Sequence, residues 1–463
     1  MAMKRAGFEV SGSDVGIYPP ISTYLKEQGV EYYTGWHPDR VLRSFSEGGK
    51  DGECLVVVGN VASSTNPEWI YVQKNKLNYQ SYPEVIAKYF IKPNSIVCAG
   101  TYGKTTTAAL LSWILTQAGM EPSYMFGGLA VNDFPSAYFA IEEPRKGPAG
   151  PRGDYSVVEG DEYKTARWDN SPKFAHYSPT HLLLTAVEWD HADVYPTEAS
   201  YFEAFEKLVK SVPKSGVIVV SERTSEMVKL SNCQTVIYGK SPTAIYQFSN
   251  LTVQDGGLQF QITHQSKTYN LKTNLLGSYM VDNLCAAFAM AHQIGVEPKV
   301  IIKAIESFKG IKRRLEKRFE GEVTVIDDIA HSPAKAKSTL ETLKTTHKHV
   351  LAVFEPNTGN RQIESIPSYD NQFIAADEVI IPRLTQIKRD PNKSEPMDGA
   401  KLSEVIGKTH SNVKYIDDDN ILINYLSNKL NPGDVVVFLG SHGFRGMIDE
   451  LVKGLKSLKG LKS

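Results

Sequence analysis

The chain has 463 residues, which is enough for two or three domains that each bury a core. Its 51 lysines and arginines nearly balance its 52 aspartates and glutamates, so no overall charge favours nucleic acid or an anionic membrane, and we expect small-molecule partners. The four cysteines lack C-x-x-C spacing, so neither a zinc site nor a disulfide framework is indicated. Isolated thiols fit a reducing compartment, and no apolar run approaches the roughly 18 residues of a membrane span, so a cytoplasmic location is expected.

Short apolar runs alternate with helical patterns, which predicts an α/β fold built on parallel sheets. Residues 245–272 alternate polar and apolar side chains, which predicts an antiparallel excursion from the central sheet, and a helix is predicted after Gly277. The basic stretch 309–318 is predicted to be a hinge before the last domain. The predicted strands lie at residues 54–58, 95–98, 155–158, 181–185, 216–220, 323–327, 350–354, 378–381 and 435–439, and the first of them is predicted to be buried.

A glycine-rich turn stands between a predicted strand and a predicted helix. It contains Gly100, Thr101, Gly103, Lys104, Thr105 and Thr106. Glycines let backbone N–H groups approach a phosphate, the helix N-terminus adds its dipole, the lysine reaches a terminal phosphate, and a hydroxyl completes a magnesium shell. The general phosphate-loop pattern has a glycine where Cys98 stands, so this is a more compact and more specific form. A plain glycine turn is the alternative; the pattern favours binding of a nucleoside triphosphate.

Acidic segments follow two of the predicted strands. Glu159 comes directly after the strand at 155–158, and Asp190, His191 and Asp193 follow the next one. Because the carboxyl ends of parallel strands converge, we expect these side chains near the glycine turn. Glu159 would hold Mg²⁺ against the phosphates, and His191 would bind a second metal or orient a carboxylate. The alternatives are a solvated acidic loop and a structural histidine.

Two further segments suggest contacts with the nucleotide. Lys312, Arg313 and Arg314 place three cations before the last domain, and an arginine fork suits a phosphate. Asp328 ends a predicted strand and could bind a ribose hydroxyl. A solvated hinge is the alternative for the cations, and a helix N-cap at Asp328 or Ser332 is the alternative for the acid.

These motifs, in this order, resemble the Mur ligases. They are Gly-Thr-x-Gly-Lys-Thr-Thr at 100–106, Glu-x-Asp-Glu at 159–162, Asp-His-x-Asp at 190–193, Arg-Arg-Leu-Glu at 313–316 and Asp-Asp-x-x-His-x-Pro at 327–333. The similarity runs from about residue 7 to the C-terminus. It implies an α/β protein of three domains: a truncated Rossmann-like UDP-sugar-binding domain at 1–85, a P-loop ATPase-type central domain at 86–312, and a Rossmann-like amino-substrate domain at 313–463.

The resemblance implies an ATP- and Mg²⁺-dependent amide-bond ligase of the bacterial cytoplasm, acting through an acyl phosphate. Residues 11–14, 18–20, 160–163, 173–177, 355–357 and 440–446 are most like the branch that joins the murein tripeptide L-Ala-γ-D-Glu-meso-diaminopimelate to UDP-N-acetylmuramate in peptidoglycan recycling. Addition of L-alanine, a related poly-glutamate ligase, and a degenerate nucleotide-binding protein without ligase activity remain alternatives. A monomer or weak homo-oligomer is expected.

The resemblance also assigns roles to single residues. Gly100, Thr101, Gly103 and Thr106 would form the phosphate loop, with Lys104 on the β- and γ-phosphates. Thr105, Glu159 and His191 would hold magnesium. Lys104, Glu159 and His191 would be the catalytic set. Asn283 would contact adenine, Arg314 the phosphates and Asp328 the ribose; His331 would lie beside that nucleotide edge, and Asp14 would face the uracil.

The chain departs from the family pattern at four places. The family's Gly-x-His-Asn-x-x-Asn has Tyr279 and Met280 at the His-Asn positions, and Tyr102 stands for the loop histidine. Residues 357–361 replace an Arg-Ser-Asn-Thr segment that bears on amino-substrate recognition. Family members also open with a strand, a glycine turn and a helix before the strand expected here at residues 7–14. We therefore expect roughly 20 residues of a βα unit to be missing from this sequence.

Overall fold

The computed structural model describes residues 1–17, 21–47, 54–139, 146–147, 150–151, 153–189, 194–254, 256–385 and 395–460. The chain divides into two compact units. The first contains Met1–Thr252, Gln259–Thr273 and Tyr279–Lys309, and the second contains Val253–Leu258, Asn274–Ser278 and Gly310–Ser463. Residues before and after the predicted boundary at 85 belong to the same unit, and the three sequence-based boundaries stay a prediction. Within the described residues, no helix is both long and apolar enough to cross a lipid bilayer.

The first part of the first unit contains short strands in two separate sheets. In chain order its elements are α1 (Ala2–Arg5), β1 (Ser11–Asp14), α2 (Ile21–Glu27), β2 (Glu31–Thr34), α3 (Pro38–Glu47), β3 (Val56–Val58), α4 (Pro67–Lys74), β4 (Tyr79–Ser81) and α5 (Tyr82–Tyr89). β1 pairs in parallel with β2, and β3 with β4. The strand predicted at 54–58 is shorter than expected, and its predicted burial is wrong for Val57, which is 48% exposed. In this small sheet Val58 lies in an apolar cluster with Trp69 and Val72, whereas Val57, the residue before it, lies on the opposite face of the strand.

The rest of the first unit is built on a sheet of ten strands. Its elements are β5 (Asn94–Ala99), α6 (Lys104–Gln117), β6 (Ser123–Met125), β7 (Ala137–Tyr138), β8 (Lys146–Gly147), β9 (Gly150–Pro151), β10 (Tyr155–Gly160), β11 (Lys164–Ala166), β12 (Asp169–Pro172), β13 (His181–Leu184), α7 (Glu198–Ser211), β14 (Val217–Ser221), β15 (Gln234–Gly239), β16 (Tyr246–Gln254), β17 (Gly257–His264), β18 (Lys267–Thr273), α8 (Met280–Gln293) and α9 (Pro298–Ser307), with 3-10 turns at Lys173–His176 and Glu222–Leu230.

The strand order in this sheet is β18-β17-β16-β15-β14-β13-β5-β10-β6-β7. The four strands predicted between residues 95 and 220 are confirmed, and the predicted excursion forms β16, β17 and β18 at one edge. β5 lies between two parallel partners, β13 and β10, and is buried from Ser95 to Ala99. This explains its continuous apolar sequence. The loop that follows β5 therefore leaves the middle of the sheet.

The second unit is a doubly wound sheet. Its elements are β19 (Glu316–Glu320), β20 (Thr324–Asp328), α10 (Pro333–Lys344), β21 (Val350–Glu355), β22 (Glu378–Pro382), α11 (Gly399–Gly407), β23 (Val413–Ile416), α12 (Asp419–Lys429), β24 (Val435–Gly440) and α13 (Met447–Gly460), with 3-10 turns at Gly359–Arg361, Ile363–Tyr369 and Phe444–Gly446. The order is β19-β20-β24-β21-β22-β23, and only β19 pairs antiparallel among the described pairs.

Helices cover both faces of this second sheet. Leu340 of α10 and Leu402 of α11 belong to one apolar cluster, and Leu426 of α12 and Leu451 of α13 belong to another. The four strands predicted after residue 320 are confirmed. The stretch predicted as a hinge is irregular up to β19, with positive φ angles of 60° at Arg313 and 49° at Leu315.

Candidate nucleotide-binding site

The loop between β5 and α6 has a backbone that only glycine accommodates at two positions. Gly100 has φ +130° and Gly103 has φ +82°, both outside the usual range of residues with side chains. A Cβ at Gly100 would lie 2.0 Å from Oγ1 of Thr185, and one at Gly103 would lie 2.2 Å from Oδ1 of Asn283. The tight turn therefore brings the backbone against neighbouring side chains and leads directly into the N-terminus of α6.

The loop is held by the chain that follows β13. The backbone N–H of Thr101 donates to the carbonyl of Ala186 at 2.9 Å, and its hydroxyl donates to the carbonyl of Glu188 at 2.7 Å. The hydroxyl of Thr185 donates to the carbonyl of Tyr102 at 2.7 Å. These bonds fix the loop at the carboxyl edge of the sheet, beside the end of β13.

Thr105 and Glu159 meet at this edge, as expected for a shared cation. The Thr105 hydroxyl donates to Oε1 of Glu159 at 2.8 Å, and the N–H of Gly127 donates to Oε2 at 2.6 Å. No group of three or more His, Cys, Asp or Glu side chains suitable for a metal is found within the described ranges. Mg²⁺ commonly takes one or two protein oxygens and completes its shell with phosphate and water, so one carboxylate and one hydroxyl fit this ion.

The second predicted acidic segment is only partly described. Glu188 and Trp189 lie in the structure, and Trp189 donates its indole N–H to the carbonyl of Tyr195 at 3.1 Å. Asp190, His191 and Asp193 lie outside the described residues. The magnesium role of His191 stays a prediction.

Lys104 has a partner that the sequence interpretation missed. Its ammonium lies 2.9 Å from Oε1 and 2.8 Å from Oε2 of Glu162, and it also donates to the carbonyl of Thr101 at 3.3 Å. The side chain of Lys104 is 13% exposed and that of Glu162 is 1% exposed. Glu162 is the last residue of the Glu-x-Asp-Glu motif at 159–162. The acids after β10 were therefore the signal for a counter-ion of Lys104.

Asn283 lies beneath the loop. It is buried near the start of α8, where its Oδ1 accepts a 3.4 Å hydrogen bond from the Thr107 hydroxyl and its Nδ2 lies 3.7 Å from Sδ of Met280. Met280 is buried as well, whereas Tyr279 is 39% exposed. This geometry makes Asn283 a support for the turn at Gly103, and its adenine contact stays a prediction.

In the second unit, Arg313 serves the fold. Its guanidinium donates to the carbonyls of Gly440, Ser441 and His442 at 2.5, 2.9 and 2.8 Å and to the carboxylate of Asp327 at 3.3 Å. Of the three cations before the last domain, Arg313 therefore has its donors committed to the end of β24 and the loop that follows it. Arg314, the residue predicted to contact the phosphates, is exposed.

Asp328 is buried and holds a turn. Its two oxygens accept backbone N–H groups from Leu315 at 2.7 Å and Ala330 at 2.8 Å. Burial raises the pKa of this carboxyl. The N-cap of α10 is Ser332, which accepts from the N–H of Lys335, so the capping alternative is confirmed for the serine. The ribose contact of Asp328 stays a prediction.

His331 lies in the loop after β20, and Asp14 is the last residue of β1. His331 follows β20, and its Nδ1 contacts the carbonyl of Ile329 at 2.8 Å. Burial lowers the pKa of this imidazole. Asp14 ends β1 and is exposed, and its Oδ1 accepts from the N–H of Val15 at 2.6 Å. The contacts of His331 with the nucleotide and of Asp14 with the uracil stay predictions.

A second charged cluster, which the sequence interpretation missed, lies after β24. Arg445 donates to both oxygens of Asp419 at 2.9 and 3.0 Å and to Glu355 at 3.2 Å. Phe444 and Arg445 both have left-handed φ angles, 49° and 52°, which cost about 1–3 kcal/mol each in non-glycine residues. Burial of Phe444 and the three hydrogen bonds of Arg445 hold this conformation at the carboxyl edge of the sheet, where ligands of doubly wound folds bind.

A phosphate loop leaving the middle of a parallel sheet, with an acid on the adjacent strand, defines a P-loop nucleotide-binding protein. Comparison with protein families is consistent with this class over most of the chain. The Mur ligase family catalytic domain matches residues 1–91, the Mur ligase middle domain matches 98–291, and the Mur ligase glutamate ligase domain matches 313–442. The chain belongs to the Mur ligase family and is therefore an ATP-dependent ligase with that family's three-domain α/β fold.

Individual relatives are consistent with the family assignment. The UDP-N-acetylmuramate–L-alanyl-γ-D-glutamyl-meso-2,6-diaminoheptandioate ligase of Escherichia coli is 30% identical over 98% of this chain and 94% of that protein. The UDP-N-acetylmuramate–L-alanine ligase of Clostridium acetobutylicum is 28% identical over 94% of this chain and 90% of that protein. The crystal structure of a murein peptide ligase from Psychrobacter arcticus matches with a TM-score of 0.68 and 25% identity, covering 98% of this chain and 95% of that one.

Proposed function

We propose that this ligase joins the tripeptide L-Ala-γ-D-Glu-meso-diaminopimelate to UDP-N-acetylmuramate. The observation that carries the proposal is the 30% identity to the Escherichia coli ligase named for these substrates, which extends over 98% of the chain. The resemblance of residues 173–177 and 440–446 to the same branch supports it. The reaction would belong to peptidoglycan recycling.

The reaction needs charge neutralisation and positioning more than a protein nucleophile. The γ-phosphoryl group of ATP would move to the lactyl carboxylate and leave ADP; the amine would then attack the acyl carbon, and phosphate would depart as the amide forms. Lys104 would hold the terminal phosphates at the N-terminus of α6. Thr105 and Glu159, whose hydroxyl and carboxylate oxygens lie 2.8 Å apart, would hold Mg²⁺. When bound, the ion supplies positive charge next to the phosphates.

Several assignments rest on the family resemblance alone. His191 would hold a second magnesium ion, and Asn283, Arg314, Asp328 and His331 would line the nucleotide. Asp14, at the exposed end of β1, would face the uracil of the UDP-sugar.

Addition of L-alanine is the second candidate. The Clostridium acetobutylicum L-alanine ligase is 28% identical over nearly the same length, so the difference in identity between the two groups is small. The replacement of the family's Arg-Ser-Asn-Thr segment by residues 357–361 falls in the domain proposed to bind the amine. Amine choice is therefore the part of the proposal that needs the most direct test.

The test offers each amine separately to the purified full chain with UDP-N-acetylmuramate, ATP and Mg²⁺. We expect phosphate release, and a product heavier by the tripeptide less one water, only when the tripeptide is supplied. Release with L-alanine alone would replace the tripeptide assignment by the second candidate. Glu203→Gln, at an exposed helix position paired with Lys207, is a control variant expected to turn over normally.

A further inference from the structure

The partner of Lys104 is an unusual neighbour for a phosphate-binding lysine. The Glu162 carboxylate is almost fully buried and contacts the ammonium with both oxygens, at 2.9 and 2.8 Å. Its backbone is tied down because the Tyr195 hydroxyl donates to the Glu162 carbonyl at 2.6 Å. The negative charge is therefore fixed where the terminal phosphates of a nucleotide are proposed to bind.

We propose that Glu162 is a positioning residue that orients Lys104 and at the same time opposes polyphosphate binding. The proposal rests on the proposed nucleotide role of the loop. An ammonium has three donors, and here one donates to Oε1 of Glu162, whose Oε2 lies 2.8 Å from the nitrogen, while another donates to the Thr101 carbonyl at the longer distance of 3.3 Å. A phosphate oxygen can take over the donor that faces the Thr101 carbonyl while Glu162 keeps its own. Lys104 then stays in a fixed direction, and the carboxylate repels the incoming charge and limits affinity.

The same segment contains a matched control. Asp161, the residue before Glu162, pairs with Lys173 at 2.6 Å and not with Lys104. The Asp161 side chain is 31% exposed and that of Glu162 is 1% exposed, so the charge of Asp161 is better solvated. Asp161→Asn therefore removes one negative charge from the same strand end without touching the ammonium of Lys104.

The experiment measures binding of ATP, ADP and AMP to the full chain by calorimetry, without amine or UDP-sugar. Glu162→Gln keeps the shape and one acceptor but loses the charge. We expect it to bind ATP and ADP about tenfold more tightly than the unaltered protein, because a like charge near the phosphates is removed. AMP, which has no β-phosphate, should bind equally to both proteins. Asp161→Asn should bind ATP within about twofold of the unaltered protein, because its charge is solvated.

Turnover provides the second readout. A freer Lys104 should lower the rate of phosphate release by about ten- to hundredfold in Glu162→Gln, since misplacement by about 1 Å is costly to catalysis. Glu162→Asp keeps the charge but withdraws it by one methylene group, and should combine reduced turnover with unchanged ADP affinity. This second variant also serves if Glu162→Gln does not fold. Equal or weaker ADP binding in a folded Glu162→Gln, or tighter ADP binding in Glu162→Asp, would overturn the proposal.

These outcomes are separable from the fate of the proposed function. If the unaltered protein binds ATP but releases phosphate with a different amine, the substrate assignment fails and the Glu162 proposal stands on its affinities. If the unaltered protein binds neither ATP nor ADP, the nucleotide role of the loop fails, and the positioning role is overturned with it.

Discussion

The Thr105 hydroxyl donates a 2.8 Å hydrogen bond to the carboxylate of Glu159, although the two residues are 54 positions apart. Glu159 pairs in register with Cys98 on the adjacent strand, so the end of β10 stands beside the loop that leaves β5. The N–H of Gly127 holds the other carboxylate oxygen at 2.6 Å. This hydroxyl and this carboxylate are the two groups that we propose to hold Mg²⁺.

Replacing the Glu159 carboxylate should weaken magnesium binding more than it destabilises the fold. Glu159→Gln keeps the hydrogen-bond shape but removes the charge that would hold Mg²⁺. We expect turnover at low magnesium to fall about 100-fold, with partial recovery as magnesium is raised. The measurement is phosphate release as a function of Mg²⁺ concentration. Glu203→Gln serves as the control, and an unchanged magnesium requirement in Glu159→Gln would place the ion elsewhere.

The two glycines that flank α6 allow a matched test of the turn. Gly103 precedes the helix with φ +82° and would clash with Asn283, whereas Gly119 follows it with φ +73° and has no atom within 4 Å of an added Cβ. We expect Gly119→Ala to destabilise the protein by about 1 kcal/mol and Gly103→Ala by about 3 kcal/mol, with loss of ATP binding in the latter only. Chemical unfolding and nucleotide titration would measure both. Equal effects of the two changes would show that the contact with Asn283 is unimportant.

Removing Lys104 should affect both catalysis and stability. Lys104→Ala should abolish turnover because the terminal phosphates lose their cation. It also leaves the buried Glu162 carboxylate without this partner, which should lower the free energy of unfolding by about 3–5 kcal/mol. The double variant Lys104→Ala/Glu162→Gln should regain most of that stability but no activity. Lys173→Ala removes the partner of the more solvated Asp161 and should lower the free energy of unfolding by less than about 1 kcal/mol. Normal turnover in Lys104→Ala would refute the phosphate-loop assignment.

The cluster of Arg445, Asp419 and Glu355 should make the stability of the protein depend on pH. Hydrogen bonds from Arg445 hold the pKa of Asp419 below its ordinary value of 3.8. A carboxyl whose pKa is lower in the folded protein adds stability above its unfolded pKa, and this contribution is lost as the pH falls through the folded pKa. The difference in urea midpoint between the unaltered protein and Asp419→Asn should therefore be largest above about pH 5 and shrink towards pH 2. A difference that does not vary with pH would mean that the charge of Asp419 is not what Arg445 stabilises.

Much of the fold could be predicted because buried parallel strands are continuous apolar runs. The strand predicted at 350–354 is observed at Val350–Glu355, and every residue of it is buried. The rule failed at Val57, which is 48% exposed and whose strand pairs with β4 in a two-stranded sheet. Local patterns show which residues are apolar, but they do not show how many layers will cover a sheet.

The nucleotide-site residues were predictable in kind but not in pairing. Residues that are neighbours in sequence differ in their contacts: Arg313 donates to three carbonyls at the end of β24 and in the loop after it, while Arg314 is exposed. Likewise, Asp161 pairs with Lys173 and the next residue, Glu162, pairs with Lys104. Side-chain direction over one or two residues depends on strand ends and turns, which the sequence pattern leaves undefined.

The sequence by itself determined that a glycine turn, a lysine and hydroxyls stand between a buried strand and a helix, because those residue types have few other uses in that order. The tertiary structure alone decided which acids meet them. The parallel register of β5 and β10 brings Glu159 to Thr105 and Glu162 to Lys104 across 54 and 58 residues of chain. Contacts over such separations depend on strand pairing and burial, since no local propensity connects residues that far apart.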